Sequence, residues 1–277
     1  MKKLSLLLLA CLLTMSLKAQ VNTPNQIIPY DFQFYQKLNK SVYSQDTKNH
    51  SSIRGFYADD KDLSVRFDSL MNYGLDILNK RSWAHRKLFN EHLLEFKNED
   101  YFIYADFLPD FTIGREFEEG KTTWLNTRGF QVGGNVGKQF SFYLNGFENQ
   151  GKFAKYYNDF VIQNQVVPGQ GFGKLATETQ DWTYVTALLS YTPNKYLNFA
   201  LAYDKNFIGD GYRSMLLSDN SSNYSFFRVR ASLGSVQYQT IFAYMLDPGS
   251  PKLASDRRLG DRGKWMAAHY LDWNATK

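Results

Sequence analysis

From about Lys138 to Trp273 the chain repeats one pattern, and that pattern limits what it can become. Arms of about 9–11 residues alternate apolar and polar side chains and are divided by turns. A period of two belongs to the β-strand, where successive side chains point to opposite faces. In the arm Trp182–Tyr191, residues Val185, Ala187, Leu189 and Tyr191 share a side. After a turn at Thr192–Lys195, Leu197, Phe199, Leu201 and Tyr203 share a side in Tyr196–Asp204, opposite Asn198, Ala200, Ala202 and Asp204. A second hairpin is Phe226–Leu233, Gly234-Ser235 and Val236–Leu246; in its first arm Phe227, Val229, Ala231 and Leu233 oppose Arg228, Arg230 and Ser232. Gly129–Gly137 and Lys138–Glu148 form another hairpin, Lys264–Trp273 a further strand, and Phe96–Phe107, continued by Phe111–Phe117, the first of the series.

Turn lengths give the series a direction. Short Gly-Ser or Pro-Asn turns alternate with long polar loops at Asn149–Asp181, Asn206–Tyr224 and Asp247–Gly263. Short turns at one end and long loops at the other are the habit of a transmembrane barrel. A soluble β-sandwich, whose half-buried strands also alternate, is the other architecture that this pattern allows. The expected fold is mainly β: an antiparallel outer-membrane β-barrel, incomplete here, with a short N-terminal α-helical segment. Residues 20–90 form a polar and helical region, and 91–277 the first part of the barrel. Leu63, Phe67, Leu70, Met71, Leu75 and Leu78 lie on one helical face, with Asp59 and Asp60 at its start. Shorter helices are expected near Asp31–Leu38 and Trp83–Leu88. The run Trp273–Thr276 reads as the start of a turn without a return strand, which suggests the N-terminal part of a longer protein.

The first 19 residues read as a secretion signal: Lys2 and Lys3, an apolar run Leu4–Leu13, then Ser16-Leu17-Lys18-Ala19 before Gln20. The run is too short to cross a membrane as a helix. A lipoprotein box at Leu8-Leu9-Ala10-Cys11 is the rival reading. Cys11 is the only cysteine, so cleavage would leave none and would exclude disulfides and thiolate chemistry. It would also remove Lys2, Lys3 and Lys18, leaving 29 basic against 27 acidic residues. A net charge of +2 and no clustered basic helix give no support for a nucleic-acid partner. Aromatic residues make up 17% of the chain, enough to furnish the interfacial girdles of a barrel or the sugar platforms of a secreted lectin-like protein.

Catalytic motifs are weak. Pro168–Lys174 resembles a phosphate loop only in its glycines, since the spacing before Gly173-Lys174 is wrong and no Ser or Thr follows. His50, His85, His92 and His269 lack metal-ligand spacing and are read as structural. Glu116, Glu118 and Glu119 suit a solvated turn, and no G-x-S-x-G elbow exists. No cofactor is expected. Arg257 and Arg258 sit in a charged loop, either solvated or touching an anion or sugar at a barrel mouth. Arg228 and Arg230 are expected to face a lumen, where they bind the carboxylates of an acidic polysaccharide or pair with a lumen carboxylate such as Asp204. Lys205–Asn220 is a binding-type loop: Gly209 and Gly211 flank Asp210, and Arg213, Ser214, Ser218 and Asp219 supply donors and acceptors.

The run from Asn206 through Gly209-Asp210-Gly211-Tyr212-Arg213-Ser214 to Ser218-Asp219 resembles the shared motif of the Wzi-like capsule-assembly barrels, and most closely the RemB gliding-motility family. The stretches His50–Arg54, Arg86–His92, Asn126–Gln131, Val167–Gly171 and His269–Asn274 agree with it. The resemblance implies a large outer-membrane barrel with N-terminal helices, longer than this chain. It implies work at the cell surface without an enzymatic reaction, in polysaccharide attachment or gliding, with outer-membrane lipid, surface polysaccharide and envelope or motility proteins as partners. A general pore for small solutes and a secreted carbohydrate-binding β-protein are the alternatives.

Overall fold

The structure is a computed structural model that describes residues 25–45, 47, 49–60, 62–71, 82–89, 91–171, 173–175, 178–247 and 262–275. The expected signal, the Leu8–Cys11 box, the end of the Leu63–Leu78 helix, and Arg257 with Arg258 lie outside the described residues.

Among the described residues three short helices precede the strands: α1 (Phe32–Val42), α2 (Ser64–Met71) and α3 (Trp83–Phe89). Asp31 caps α1 by accepting the Phe34 N–H at 2.7 Å. Tyr35, Leu38 and Val42 then fall on one side of α1 and pack with Ile28, Phe56, Ala58 and Leu63 into a small core of their own.

The rest is one antiparallel sheet. Its strands are β1 (Leu94–Lys97), β2 (Tyr101–Arg115), β3 (Thr122–Val136), β4 (Phe140–Lys152), β5 (Gly173–Leu175), β6 (Gln180–Asn194), β7 (Leu197–Asp204), β8 (Tyr224–Leu233), β9 (Val236–Asp247) and β10 (Arg262–Trp273). Nine of them pair in sequence order, and the short β5 attaches to β6. β1 and β10 end the sheet and do not pair with each other, so it is open and not closed into a barrel. Short turns lie at one end, at 98–100, 137–139, 195–196 and 234–235. Gly137 and Gly234 hold φ near +60° in two of them, with nothing within 4 Å of a would-be Cβ. Glycine is thus used there for its left-handed backbone and not for space.

Two boundaries differ from the expectation. The strand expected from Phe96 is two strands, because Asn98-Glu99-Asp100 forms a hairpin turn in which the Asn98 side chain accepts the Glu99 N–H. The expected stretches Phe96–Phe107 and Phe111–Phe117 join without a gap, since β2 runs through Pro109 and ends at Arg115. β1 covers only Phe102–Ala105, so Pro109 lies where one side of β2 carries no neighbour and a missing N–H is tolerated. A fourth helix, α4 (Lys155–Asn164), also folds within the segment expected to be a polar loop. It is fixed by Val161, which packs with Val167 and Trp182.

Burial along the strands puts polar as well as apolar side chains inside and many apolar ones outside. Ser141, Asn145, Asn149, Thr186, Ser190, Asn198, Arg228, Arg230 and Gln239 are buried on the inner face. On the outer face Leu144, Leu189, Leu201, Phe227, Phe242 and Trp265 are exposed, Leu201 at 62% and Trp265 at 79%. Register aligns these outer residues into rows. One runs Ile103, Gly134, Phe142, Leu189, Leu201, Phe227, Phe242, Ala267 across eight strands. The rows on either side hold Tyr101, Phe140, Tyr191 and Phe199, and Leu144, Tyr203, Tyr244 and Trp265. These three rows contain no Asp, Glu, Lys or Arg. The first outer-face ion pair, Arg128–Glu148 at 3.4 Å, lies toward the long-loop end beyond Phe130.

Candidate functional site: the filled inner face

The inner face is filled by the segment that precedes the sheet. Ile27 belongs to one buried cluster with Tyr143, Leu188, Ala200, Phe226 and Ile241, side chains drawn from strands β4 to β9. Polar bonds span the same width. Gln26 reaches the Tyr104 hydroxyl on β2 at 3.1 Å, Ser141 on β4 donates to the Asn25 carbonyl, and Ser52 donates to Asp272 on β10. His50 lies 3.6 Å from the same carboxylate.

Arg230 secures this segment. Its Nη1 donates to the Gly55 carbonyl and its Nη2 to the Arg54 carbonyl, each at 2.9 Å, while Gln239 accepts from Nε and Nη2 at 3.2 Å. Arg228, one step along the same face, donates from Nη1 to Asn206 at 3.2 Å. Neither arginine forms an ion pair with Asp204, whose oxygens instead accept the Tyr143 hydroxyl at 2.5 Å and the Lys205 N–H at 2.8 Å. The expected pairing with that carboxylate is therefore corrected. The N-terminal segment brings backbone carbonyls to Arg230, and the 206 loop brings an amide to Arg228. Both guanidiniums are buried, so neither presents a free fork to solvent.

The 206–219 loop folds back on itself and docks on residues 52–54. Ile208 bridges Ile53 on one side and Leu217 on the other, and Gly209 donates to the Ser52 carbonyl at 2.8 Å. Asp210 accepts the Tyr43 hydroxyl at 2.9 Å and lies 3.8 Å from Arg54. Ser214 donates to the Ile208 carbonyl and accepts the Leu216 N–H, fixing the tip. Ser218 bonds Asp219, whose carbonyl accepts Lys205 at 2.9 Å. Gly211, Tyr212 and Arg213 remain exposed, with Tyr212 against Phe32 and the Arg213 guanidinium 5.4 Å from the Tyr212 ring.

The other stretches singled out in the sequence meet this unit or one another. His269–Asn274 contributes Asp272 to the His50–Arg54 stretch. Val167–Gly171 receives Lys205 at the Gly169 carbonyl. His92 contacts Asp106 at 2.6 Å and stacks on Tyr104, and Gln131 donates to the same carboxylate at 2.8 Å, joining Arg86–His92 to Asn126–Gln131.

Beside the filled region lies an open cleft of about 940 Å³. Phe147 and Tyr184 supply ring faces, Thr127 and Asn149 a bonded hydroxyl–amide pair at 2.8 Å, and Asp31, Asp110, Lys87 and Lys205 charge. Burial pulls the Lys205 ammonium below the usual lysine range. Sequence reading did not single out Phe147, Asn149 or Tyr184. The available signal was their alternation parity: Asn145, Phe147 and Asn149 share the face opposite Leu144 and Glu148.

Among the described residues no group of three or more His, Cys, Asp or Glu is placed to hold a metal, and no helix is long and apolar enough to cross a membrane. Comparisons with family models, curated proteins and solved structures return no match.

Proposed function

We propose that this chain forms the wall and filling of an outer-membrane barrel that acts without catalysis at the bacterial cell surface, holding or organising exopolysaccharide in capsule attachment or assembly and in gliding. One observation carries the membrane part: three adjacent rows of the exposed face are rich in apolar and aromatic residues and hold no Asp, Glu, Lys or Arg across eight strands, while the buried face mixes apolar residues with many polar ones. A soluble sheet hides its apolar face, because each exposed apolar Å² forfeits roughly 25 cal/mol. Lipid reverses that preference. From Val236 to Leu246 the outer residues of β9 span ten steps, or about 33 Å along the strand and about 25 Å when tilted, the height of a barrel's apolar band. The free outer edges of β1 and β10 would need strand partners within lipid.

The polysaccharide part rests on the resemblance and on the cleft. Rings, amides and carboxylates around a 940 Å³ opening suit stacking and hydrogen bonding to sugar rings. A free pore is disfavoured by the packing of residues 25–60 onto strands β2 to β10, which fills much of the inner face.

Fractionation followed by glycan binding tests both parts. The full chain is expected in the outer-membrane fraction, extractable only with detergent, and the detergent-folded protein is expected to retain acidic surface glycans. Recovery in the soluble periplasm would sink the membrane reading. Ohmic conductance in planar bilayers without glycan binding would replace the polysaccharide reading with a solute pore.

A further inference from the structure

Four cations gather under the filled inner face. Arg54, Arg228, Arg230 and Lys205 lie together there, with Asp204 and Asp210 as the nearby carboxylates. A Cβ placed on Gly55 would sit 3.6 Å from both Arg228 Nη1 and Arg230 Nη2, so these two guanidiniums flank the same point of the backbone. Arg230 is fully engaged by carbonyl and amide oxygens. Arg54 and Arg228 are not.

Arg228 is 4% exposed, and its Nε and Nη2 have no partner. Arg54 is 8% exposed, and its Nε and Nη1 have none either. Buried charged donors without acceptors are costly, and native proteins supply such groups with a water or an ion. Both arginines line a small, partly open pocket of about 20 Å³, together with Asn206, Tyr143, Phe207 and Phe226. That volume holds one water-sized guest. Asp204 also borders it, but its oxygens accept the Tyr143 hydroxyl and the Lys205 N–H, and it forms no ion pair with Arg54 or Arg228. Asp210 faces Arg54 from a half-exposed position 3.8 Å away. Arg228 forms no ion pair among the described residues.

We propose that this cavity is a binding site for one small monovalent anion of the chloride type, held between the free guanidinium N–H groups of Arg54 and Arg228. The anion ties β8 to residues 54–55 and to the 206 loop, with Ile27, Ile28, Tyr143 and Leu188 completing the wall. It balances the excess of buried positive charge that Asp204 leaves uncompensated. Its charge-assisted hydrogen bonds replace the missing acceptors. Larger anions such as sulfate do not fit.

The test uses the full chain folded in detergent in chloride-free buffer. Bromide replaces chloride, and anomalous scattering from crystals locates it. A bromide peak between Arg54 and Arg228 is the expected result, and a cavity occupied by water alone overturns the proposal. In solution at constant ionic strength, raising chloride tenfold above half-saturation should raise Tm by about 3 °C, whereas sulfate should not. Arg228→Gln should abolish that chloride response. If Arg228→Gln fails to fold, the bromide experiment on the natural sequence decides. Loss of polysaccharide binding with a bromide peak present would separate failure of the functional proposal from failure of this one.

Discussion

The two faces of the sheet come from the same strands and obey opposite rules. On the outer face Leu189, Leu201 and Phe242 stand exposed, with no layer of described residues over them. On the inner face Asn198 bonds Ser190 at 2.7 Å and Thr192 at 2.9 Å, Asn145 bonds Thr186 at 2.9 Å, and Arg230 holds the Gly55 carbonyl. The outer face needs only to be apolar, and Leu, Phe, Val and Tyr all stand in its rows. The inner face needs particular partners, because a buried polar group left alone costs about 1–3 kcal/mol. The contrast separates what solvates the molecule from what specifies its shape.

The largest effect is expected on the specific face. Arg230→Ala leaves the Arg54 and Gly55 carbonyls and Gln239 without a donor, and should weaken docking of residues 25–60 by about 4 kcal/mol. Amide exchange at residues 53–57 should accelerate accordingly, while the strand amides of β8 and β9 stay protected. Unchanged exchange would mean that Arg230 is not the anchor.

On the outer face Leu201→Arg should cost about 3 kcal/mol of folding stability in lipid, as a cation near mid-bilayer does. In a water-exposed sheet the same change would be neutral, so refolding yield into vesicles distinguishes the two environments.

A third effect comes from the filling itself. Burial pushes the Tyr35 hydroxyl up to about 12 from 10. The folded state therefore keeps this proton longer than the unfolded chain does. The stability it contributes is fully present below pH 10 and is lost as pH rises towards 12, by about 1.4 kcal/mol at pH 11. Proteolysis of residues 25–60 should increase over that window, and the increase should be smaller in Tyr35→Phe, since burial also raises Tyr30, Tyr43 and Tyr57 in the same segment.

The smallest effect belongs to Arg128→Ala. Its ion pair with Glu148 is half-exposed, so the loss should be under about 1 kcal/mol and should vanish in high salt. A loss as large as that of Leu201→Arg would place Arg128 inside the apolar band instead of at its edge.

The strands were legible to different degrees for physical reasons. β8 and β9 meet at Gly234-Ser235 as their alternation indicates, because the period-two pattern and a left-handed glycine both act locally. The β1–β2 turn lies between Phe96 and Phe102, which keep an even spacing across it, although the four polar residues Lys97–Asp100 interrupt the apolar alternation there. Helix α4 was hidden because one buried residue, Val161, fixes it through Val167 and Trp182, a tertiary contact that leaves little amphipathic trace. Alternation placed Arg228 and Arg230 on the polar side of β8, yet it gave no clue to their partners. The oxygens that Arg230 binds lie 175 and 176 residues away in sequence, at Gly55 and Arg54. In the same way, the 206 loop read as a surface binding loop, whereas Ile208 and Gly209 are spent on docking to residues 52–53.

Single cysteines along β7 provide the most direct measurement. The only native cysteine, Cys11, lies in the expected leader, so each labelled site is unambiguous once Cys11 is replaced. A fluorophore at Phe199, Leu201 or Tyr203 in vesicles should be strongly quenched by lipids brominated on their acyl chains, and one at Asn198, Ala200 or Ala202 should not. That period-two pattern is what an outer face in lipid and a filled inner face require. Equal, weak quenching at all six positions would contradict the account.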